Sequence, residues 1–402
     1  MRKRKTMDVR TSRRLRTFLI CVLLCAILVA CCLLLVDPFR RFCVMRVGYY
    51  PVNEVMEQAG YAYTGDLNTY KKTVCGKEIT VVFDTATGVC FKNEYSFGID
   101  GAYRNTNGQL FVEKAILERL LTREIVPQNH ISFSLETPEV SWLDYPHLVA
   151  HAGGSVRMPH ENGTYTNSLE ALIQNYSLGH RVFEFDFTPT SDDNLALVHD
   201  WEQFGYLDGT VFSAQEWKDF ETFGSPKTDS RYTTMLIGDL LDEMLVNEDI
   251  YVVTDGKLFD EEAKKEFEIL YREAQKRDIS LLNRFIPQIY RNEMYDILMD
   301  VYRFPSVIYT TYVAPLSAGE IIDFVSSHDN IHVITANYKD TRFQETQLQQ
   351  IHNMGRFFFV HTVNTYSDIT QGRNRGVDGF YTDILLPQDL EVYDCINKSG
   401  CP

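Results

Sequence analysis

The sequence predicts an α/β protein, a closed (β/α)8 TIM-type barrel preceded by an N-terminal transmembrane helix and a small α+β region. Three observations carry this prediction. From His147 onward, eight short strand-like runs alternate with helical stretches over roughly 250 residues, the repeat number and length of such a barrel. One of those runs, RVFEFDF at 181–187, places Phe183, Phe185 and Phe187 on one face and Glu184 and Asp186 on the other. A parallel barrel strand is covered on both faces, so the phenylalanines pack on outer helices and the two acids face the interior, where unpaired carboxylates are costly. The third observation is the N-terminus, whose composition differs from everything after it.

Residues 1–16 hold eight Lys or Arg against one Asp, and residues 18–36 are nineteen residues without a charge. A helix of that length crosses a hydrocarbon core of about 30 Å. Leu28-Val29-Ala30-Cys31 resembles a lipoprotein cleavage box, but apolar residues continue to Val36, where a lipoprotein turns polar. The expectation is therefore an uncleaved anchor over 17–36, a cytoplasmic basic segment over 1–16, and an extracytoplasmic remainder. Removing the +7 of the first sixteen residues from the formal −16 of the chain leaves −23 on that remainder. Such a surface argues against nucleic acid as a partner. Four of the nine cysteines lie in the apolar run; Cys43, Cys75, Cys90, Cys395 and Cys401 lie outside it, and none has zinc-ligand spacing.

Residues 37–145 form the expected small α+β extension. KEITVVFDTATGVCFKN reads as two strands around a turn at Thr87-Gly88, and NTNGQLFVEKAILERLLTREI as a turn, a strand and an amphipathic helix. The barrel is expected over 146–393, with a tail over 394–402. Its strands are HLVAHA, RVFEFDF, DIYVVTD, RFIPQIY, SVIYTTY, IHVITA, RFFFVHTV and DGFYTD. A doubly wound open sheet is the alternative arrangement of the same elements.

Active sites of these barrels lie at the C-terminal ends of the strands. Collected there are His151 after the first strand, Glu184 and Asp186 on the second, and His199 and Asp200 shortly after it. Asp255 and Lys257 end the third, while His361, Asn364 and Asp383 lie near the ends of the seventh and eighth. Glu184, Asp186 and Asp255 make a hard oxygen set suited to Mg2+ or Ca2+. His151 and His199 suit general acid and base work, and Lys257 suits contact with an anion. Together they describe cleavage of a phosphodiester. Each also has a structural reading: hydrogen-bonded histidines at a barrel end, and an ion pair of Glu184 and Asp186 with Lys257. A glycosidase would use the acids alone and leave the histidines and Lys257 without a role.

The stretch from His147 to Trp201, with HLVAHAGG, YTNSLEAL, FEFDF and LVHDW, resembles the glycerophosphodiester phosphodiesterase family of the phosphatidylinositol-phospholipase-C-like superfamily. TVN and GVDGFYTD resemble its last two strands. His151, Asn167, Glu184, Asp186 and His199 fall on matching positions in the right order. The resemblance implies a metal-dependent phosphodiester hydrolase with His151 and His199 catalytic, and with Lys257 and Asn167 contacting substrate. Its substrates are expected to be glycerophosphodiesters or phospholipid- and teichoic-acid-like molecules. Departures stand at Ala152, where the family has Arg, and at Thr166, where it has Glu. Asp255-Gly256-Lys257 replaces a Glu-x-Lys and is similar to sphingomyelinase-D-like barrels. Loss of the Arg removes a bidentate phosphate contact, for which the N–H groups of Gly153 and Gly154 are the expected partial substitute. A lyase releasing a cyclic phosphate, and a catalytically inactive surface-binding barrel, are the two readings that share the fold.

Overall fold

The computed structural model describes Val22 and residues 43–129, 131–157, 162–202, 208–220 and 232–390. Apart from Val22, the predicted anchor over 17–36 lies outside these residues, as do the basic segment before it and Cys395 and Cys401. Among the described residues no helix is long and apolar enough to cross a membrane.

The chain divides into two compact units. One comprises residues up to 70, 82–90 and 98–138; the other comprises 71–81, 91–97 and 139 onward. Within the first, Tyr49–Pro51, Gln109–Glu113 and Tyr103–Thr106 form an antiparallel sheet, and Glu124–Pro127 pairs with Phe133–Glu136. The turn at Asn107-Gly108 and the helix Lys114–Leu121 lie where the amphipathic pattern puts them.

The second unit contains a closed barrel of eight parallel strands. They are β1 (Leu148–Ala150), β2 (Val182–Pro189), β3 (Tyr251–Gly256), β4 (Phe285–Ile289), β5 (Val307–Thr310), β6 (Ile331–Asn337), β7 (Phe357–His361) and β8 (Gly379–Thr382). Each pairs with the next, and β1 pairs with both β2 (Ala150 beside Phe183) and β8 (Ala150 beside Thr382), which closes the ring. All eight coincide with runs expected from sequence, and the closure excludes the open sheet. Helices α1 (Leu169–Ser177), α2 (Ile237–Val246), α3 (Ala263–Gln275), α4 (Glu293–Val301), α5 (Ala318–Ser326), α6 (Glu345–Asn353) and α7 (Tyr366–Arg375) connect successive strands. Their starts carry side-chain caps where the sequence supplies them. Ser168 accepts from Ala171 N at the head of α1, Ser317 forms a capping box with Glu320 at α5, and Thr365 accepts from Asp368 N at α7.

The interior is divided by height. At the N-terminal end, Trp142 inserts among Val149, Val182, Val253, Ile286, Ile308, Val333 and Phe359, and its Nε1 donates to Ser306 Oγ at 2.8 Å. This apolar plug closes the floor, and the indole N–H, the one polar side-chain atom of Trp142, is satisfied. Above it the inward residues turn polar. Glu184 is 1% exposed and Asp186 0%, so the strand quoted above carries its acids inside the barrel rather than toward water. Phe183 and Phe185 stack on the opposite face, ring centroids 6.3 Å apart.

Candidate active site

Strand register assembles the site. β2 and β3 pair with Glu184 beside Val253 and Asp186 beside Asp255, so both aspartates face the interior at the same height. One oxygen from each of Glu184, Asp186 and Asp255 lies within 4.8 Å of the others. Lys257, just past β3, folds back with Nζ 2.5 Å from Asp186 and 2.9 Å from Asp255. Burial disfavours its ammonium, but the two carboxylates outweigh that and hold its pKa well above the ordinary lysine value. Burial likewise disfavours the Asp255 carboxylate; Lys257 and the Tyr290 hydroxyl, which donates to it, win and pull its pKa down. Tyr312 OH adds a longer contact to Asp255 at 3.3 Å.

Glu184 is the acid without such help. Burial, with the like charge of Asp186 behind it, pushes its carboxyl up to about 8. Its Oε2 accepts the N–H of Ala152 at 2.6 Å, while the buried Oε1 has no hydrogen-bond partner. The Ala152 N–H is aimed there by a left-handed backbone (φ 47°) in the turn after β1. Gly153 follows at φ +82°, and a Cβ there would lie 2.8 Å from the Phe185 ring, so the turn demands glycine. Gly154 N–H donates to His151 O at 2.8 Å. The expectation that it serves an anion is therefore corrected: the turn uses that donor to close itself.

His151 leaves β1 with Nδ1 2.7 Å from Asp383 Oδ1 and Nε2 3.9 Å from Glu184 Oε2. Burial opposes the imidazolium, but the Asp383 hydrogen bond and the neighbouring carboxylates prevail and raise its pKa to about 9. Asp383 is fixed in turn by Asn364, whose Nδ2 donates to its Oδ2 at 2.6 Å and whose Oδ1 accepts its N–H at 2.8 Å. His199 arrives by another route. A short antiparallel strand, Leu195–Leu197, folds back on β2 and returns the chain over the barrel mouth, and His199 Nδ1 lies 2.5 Å from Asp200 Oδ2. The Tyr165 ring sits by both imidazoles, 4.7 Å from His151 and 5.5 Å from His199.

Five of these groups, His151, Tyr165, Glu184, His199 and Asp255, line a cavity of about 320 Å3. Uncharged Gln288, Tyr312, Thr362 and Tyr381 line the rest, together with His361, whose pKa burial, aided by the charge on His151, drives down to about 4. Asn167, expected as a substrate contact, is buried away from this cavity. Its Nδ2 donates to Asp186 Oδ2 at 2.8 Å and its Oδ1 accepts Asp186 N–H at 3.0 Å, so it aims a carboxylate instead. Trp201 packs against Phe212 and Trp217, away from the cavity lining. Asp383 and Asn364 were visible in the sequence only as polar residues near strand ends.

The model of the glycerophosphoryl diester phosphodiesterase family matches residues 151–385, more than half of the chain and the whole set of groups just described. The chain belongs to this family. Membership makes the glycerophosphoryl diester phosphodiesterase barrel a phosphoric diester hydrolase. Solved structures similar to it include a glycerophosphodiester phosphodiesterase from Thermotoga maritima (18% identity, covering 62% of this chain and 98% of that one, TM-score 0.45). Another is a phosphodiesterase from Oleispira antarctica in complex with sn-glycerol-3-phosphate (16%, 62% and 97%, TM-score 0.48). A third is a glycerophosphoryl diester phosphodiesterase from Parabacteroides distasonis (15%, 64% and 89%, TM-score 0.49). No curated protein sequence matches the chain. Ala152, where the sequence resemblance leads one to expect Arg, gives its N–H to Glu184.

Proposed function

We propose that the chain is a divalent-cation-dependent hydrolase of glycerophosphodiester-type, phospholipid- or teichoic-acid-like substrates, working by acid and base catalysis from His151 and His199. The observation that carries this reading is that two imidazoles, each oriented at Nδ1 by a carboxylate, line one cavity with Glu184 and Asp255. His151 acts as the acid. With Nδ1–H given to Asp383, its Nε2–H is the proton available to a leaving alkoxide. His199, held through Nδ1 by Asp200, takes a proton from the attacking hydroxyl or water at Nε2. Such pairing of acid and base is what a poor leaving group near neutral pH requires. Lys257 contributes positive charge beside the phosphoryl oxygens.

The residues fit a cation. Three converging carboxylates supply hard oxygen donors, and the partnerless Oε1 of buried Glu184 is the kind of atom a metal ion satisfies. Glu184, Asp186 and Asp255 would hold Mg2+ or Ca2+, which when bound offsets charge developing on the phosphoryl group. A cyclic-phosphate lyase uses the same groups with an internal hydroxyl as nucleophile. Full-length protein in detergent, given a panel of glycerophospho-alcohols, lysolipids and teichoic-acid fragments, separates these readings by phosphorus NMR. A linear phosphomonoester supports hydrolysis. Accumulation of a cyclic phosphate supports the lyase, and no turnover of any member supports an inactive surface-binding barrel.

The same reading includes a single-pass anchor over 17–36 with the barrel outside the cytoplasm, supported by the basic residues before the apolar run and the acidic remainder after it. Protease added to intact cells lacking an outer membrane is expected to digest the barrel. Complete protection would place it inside instead.

A further inference from the structure

Helix α3 begins in the charged run DEEAKKEFEIL, which reads as a solvated face. One acid of this run does not face solvent. Glu266 is 3% exposed, and its Oε1 accepts two backbone N–H groups, from Lys257 at 3.0 Å and from Leu258 at 3.1 Å. The carboxyl also lies against Gly256, where a Cβ would approach Oε2 to 2.3 Å. Three consecutive backbone positions after Asp255 are thus shaped around one buried side chain. The turn they make is the one that sends Lys257 Nζ back between Asp186 and Asp255.

We propose that Glu266 is a positioning residue that fixes the turn after β3 and thereby sets Lys257 against the carboxylate cluster. The catalytic consequence rests on the function proposed above. The cause is local. Removal of the acceptor leaves two N–H groups without partners at a barrel-strand end, and the turn shifts to find new ones. A displacement of about 1 Å at a reacting group costs on the order of 10²-fold in rate. Burial pushes the Glu266 carboxyl up to about 8, against the pull of those two N–H groups. Gln, neutral and of the same shape, keeps the acceptor.

The test compares Glu266→Leu, Glu266→Gln and Gly256→Ala in the full chain by amide hydrogen exchange and by turnover. Glu266→Leu is expected to speed exchange at Lys257 and Leu258 by about tenfold or more, the worth of a lost hydrogen bond. It should lower kcat by about 10–100-fold, and Glu266→Gln should restore most of both. Gly256→Ala displaces the same carboxyl from the other side and should reproduce the exchange change, so it stands in if Glu266→Leu does not fold. In a Lys257→Ala background, Glu266→Leu should have little further effect on kcat, because its effect passes through Lys257. Unchanged exchange at 257 and 258, failure of Gln to rescue, or an equal loss in the Lys257→Ala background each overturns the proposal. Exchange is read on the protein alone. A wild type without turnover on any phosphodiester would therefore sink the proposed function and still leave the anchoring decided.

Discussion

His151→Ala and His199→Ala are each expected to lower kcat by about 10²–10⁴-fold, the usual contribution of one positioned acid or base. Folding should be little affected, because the pairs His151–Asp383 and His199–Asp200 lie at the mouth, above the apolar floor organised around Trp142. The two losses should not multiply. Both groups act in one step, so the double variant should lose far less than the product of the singles. Asp383→Asn should approach the effect of His151→Ala, since an amide there no longer stabilises the imidazolium or selects the Nδ1–H tautomer. Melting temperature and turnover, measured on the same preparations, check the set. Variants of either histidine with wild-type kcat would make these residues structural.

Chelation is expected to abolish turnover and Mg2+ or Ca2+ to restore it. The cause is the energetics of the cluster rather than the count of acids. Glu184 is pushed up to about 8 by burial and the charge of Asp186, and a bound cation reverses that penalty. The melting temperature should therefore rise with cation concentration, by an amount equivalent to roughly 2.7 kcal/mol at a hundred times the dissociation constant. Asp255→Asn should reduce that rise and lower kcat. Lys257→Met should act with opposite signs on the two readouts. Lys257 shares Asp186 and Asp255, so its removal is expected to strengthen cation binding while weakening catalysis. Full activity after exhaustive chelation, with no thermal shift on adding either ion, would contradict the assignment.

Most of the barrel was legible because its signals are local. A parallel strand buried on both faces is a short apolar run wherever it occurs, and all eight runs became strands. The two interior acids were legible for the same reason: alternation in FEFDF puts them opposite three phenylalanines that must pack on helices. The ends of the chemistry were less so. Asp383 and His151 are 232 positions apart in sequence, and only closure of β8 against β1 brings them to 2.7 Å. Nothing in the spacing of either residue encodes that pairing. Asn167 carried a family position but no direction, and its amide turns inward to Asp186. Tyr290 reaches Asp255 from the position just after β4, where in sequence it resembles any other tyrosine of an apolar run. Glu266 was hidden by its neighbours, since a buried acid in a run rich in charged residues does not disturb an amphipathic pattern.

The pH dependence of kcat in the wild type and the two histidine variants tests the central claim most directly. His151 acts as imidazolium, and its pKa is raised to about 9 in the ion-free protein, so activity should fall as pH rises through that value; a bound cation repels the imidazolium and moves this limb lower. A general base must be unprotonated to accept a proton, so two-histidine catalysis also requires activity to fall on the acid side. A bell for the wild type, no alkaline limb in residual His151→Ala activity and no acid limb in residual His199→Ala activity is the expected result. Variants that keep both limbs of the wild-type profile would contradict two-histidine catalysis.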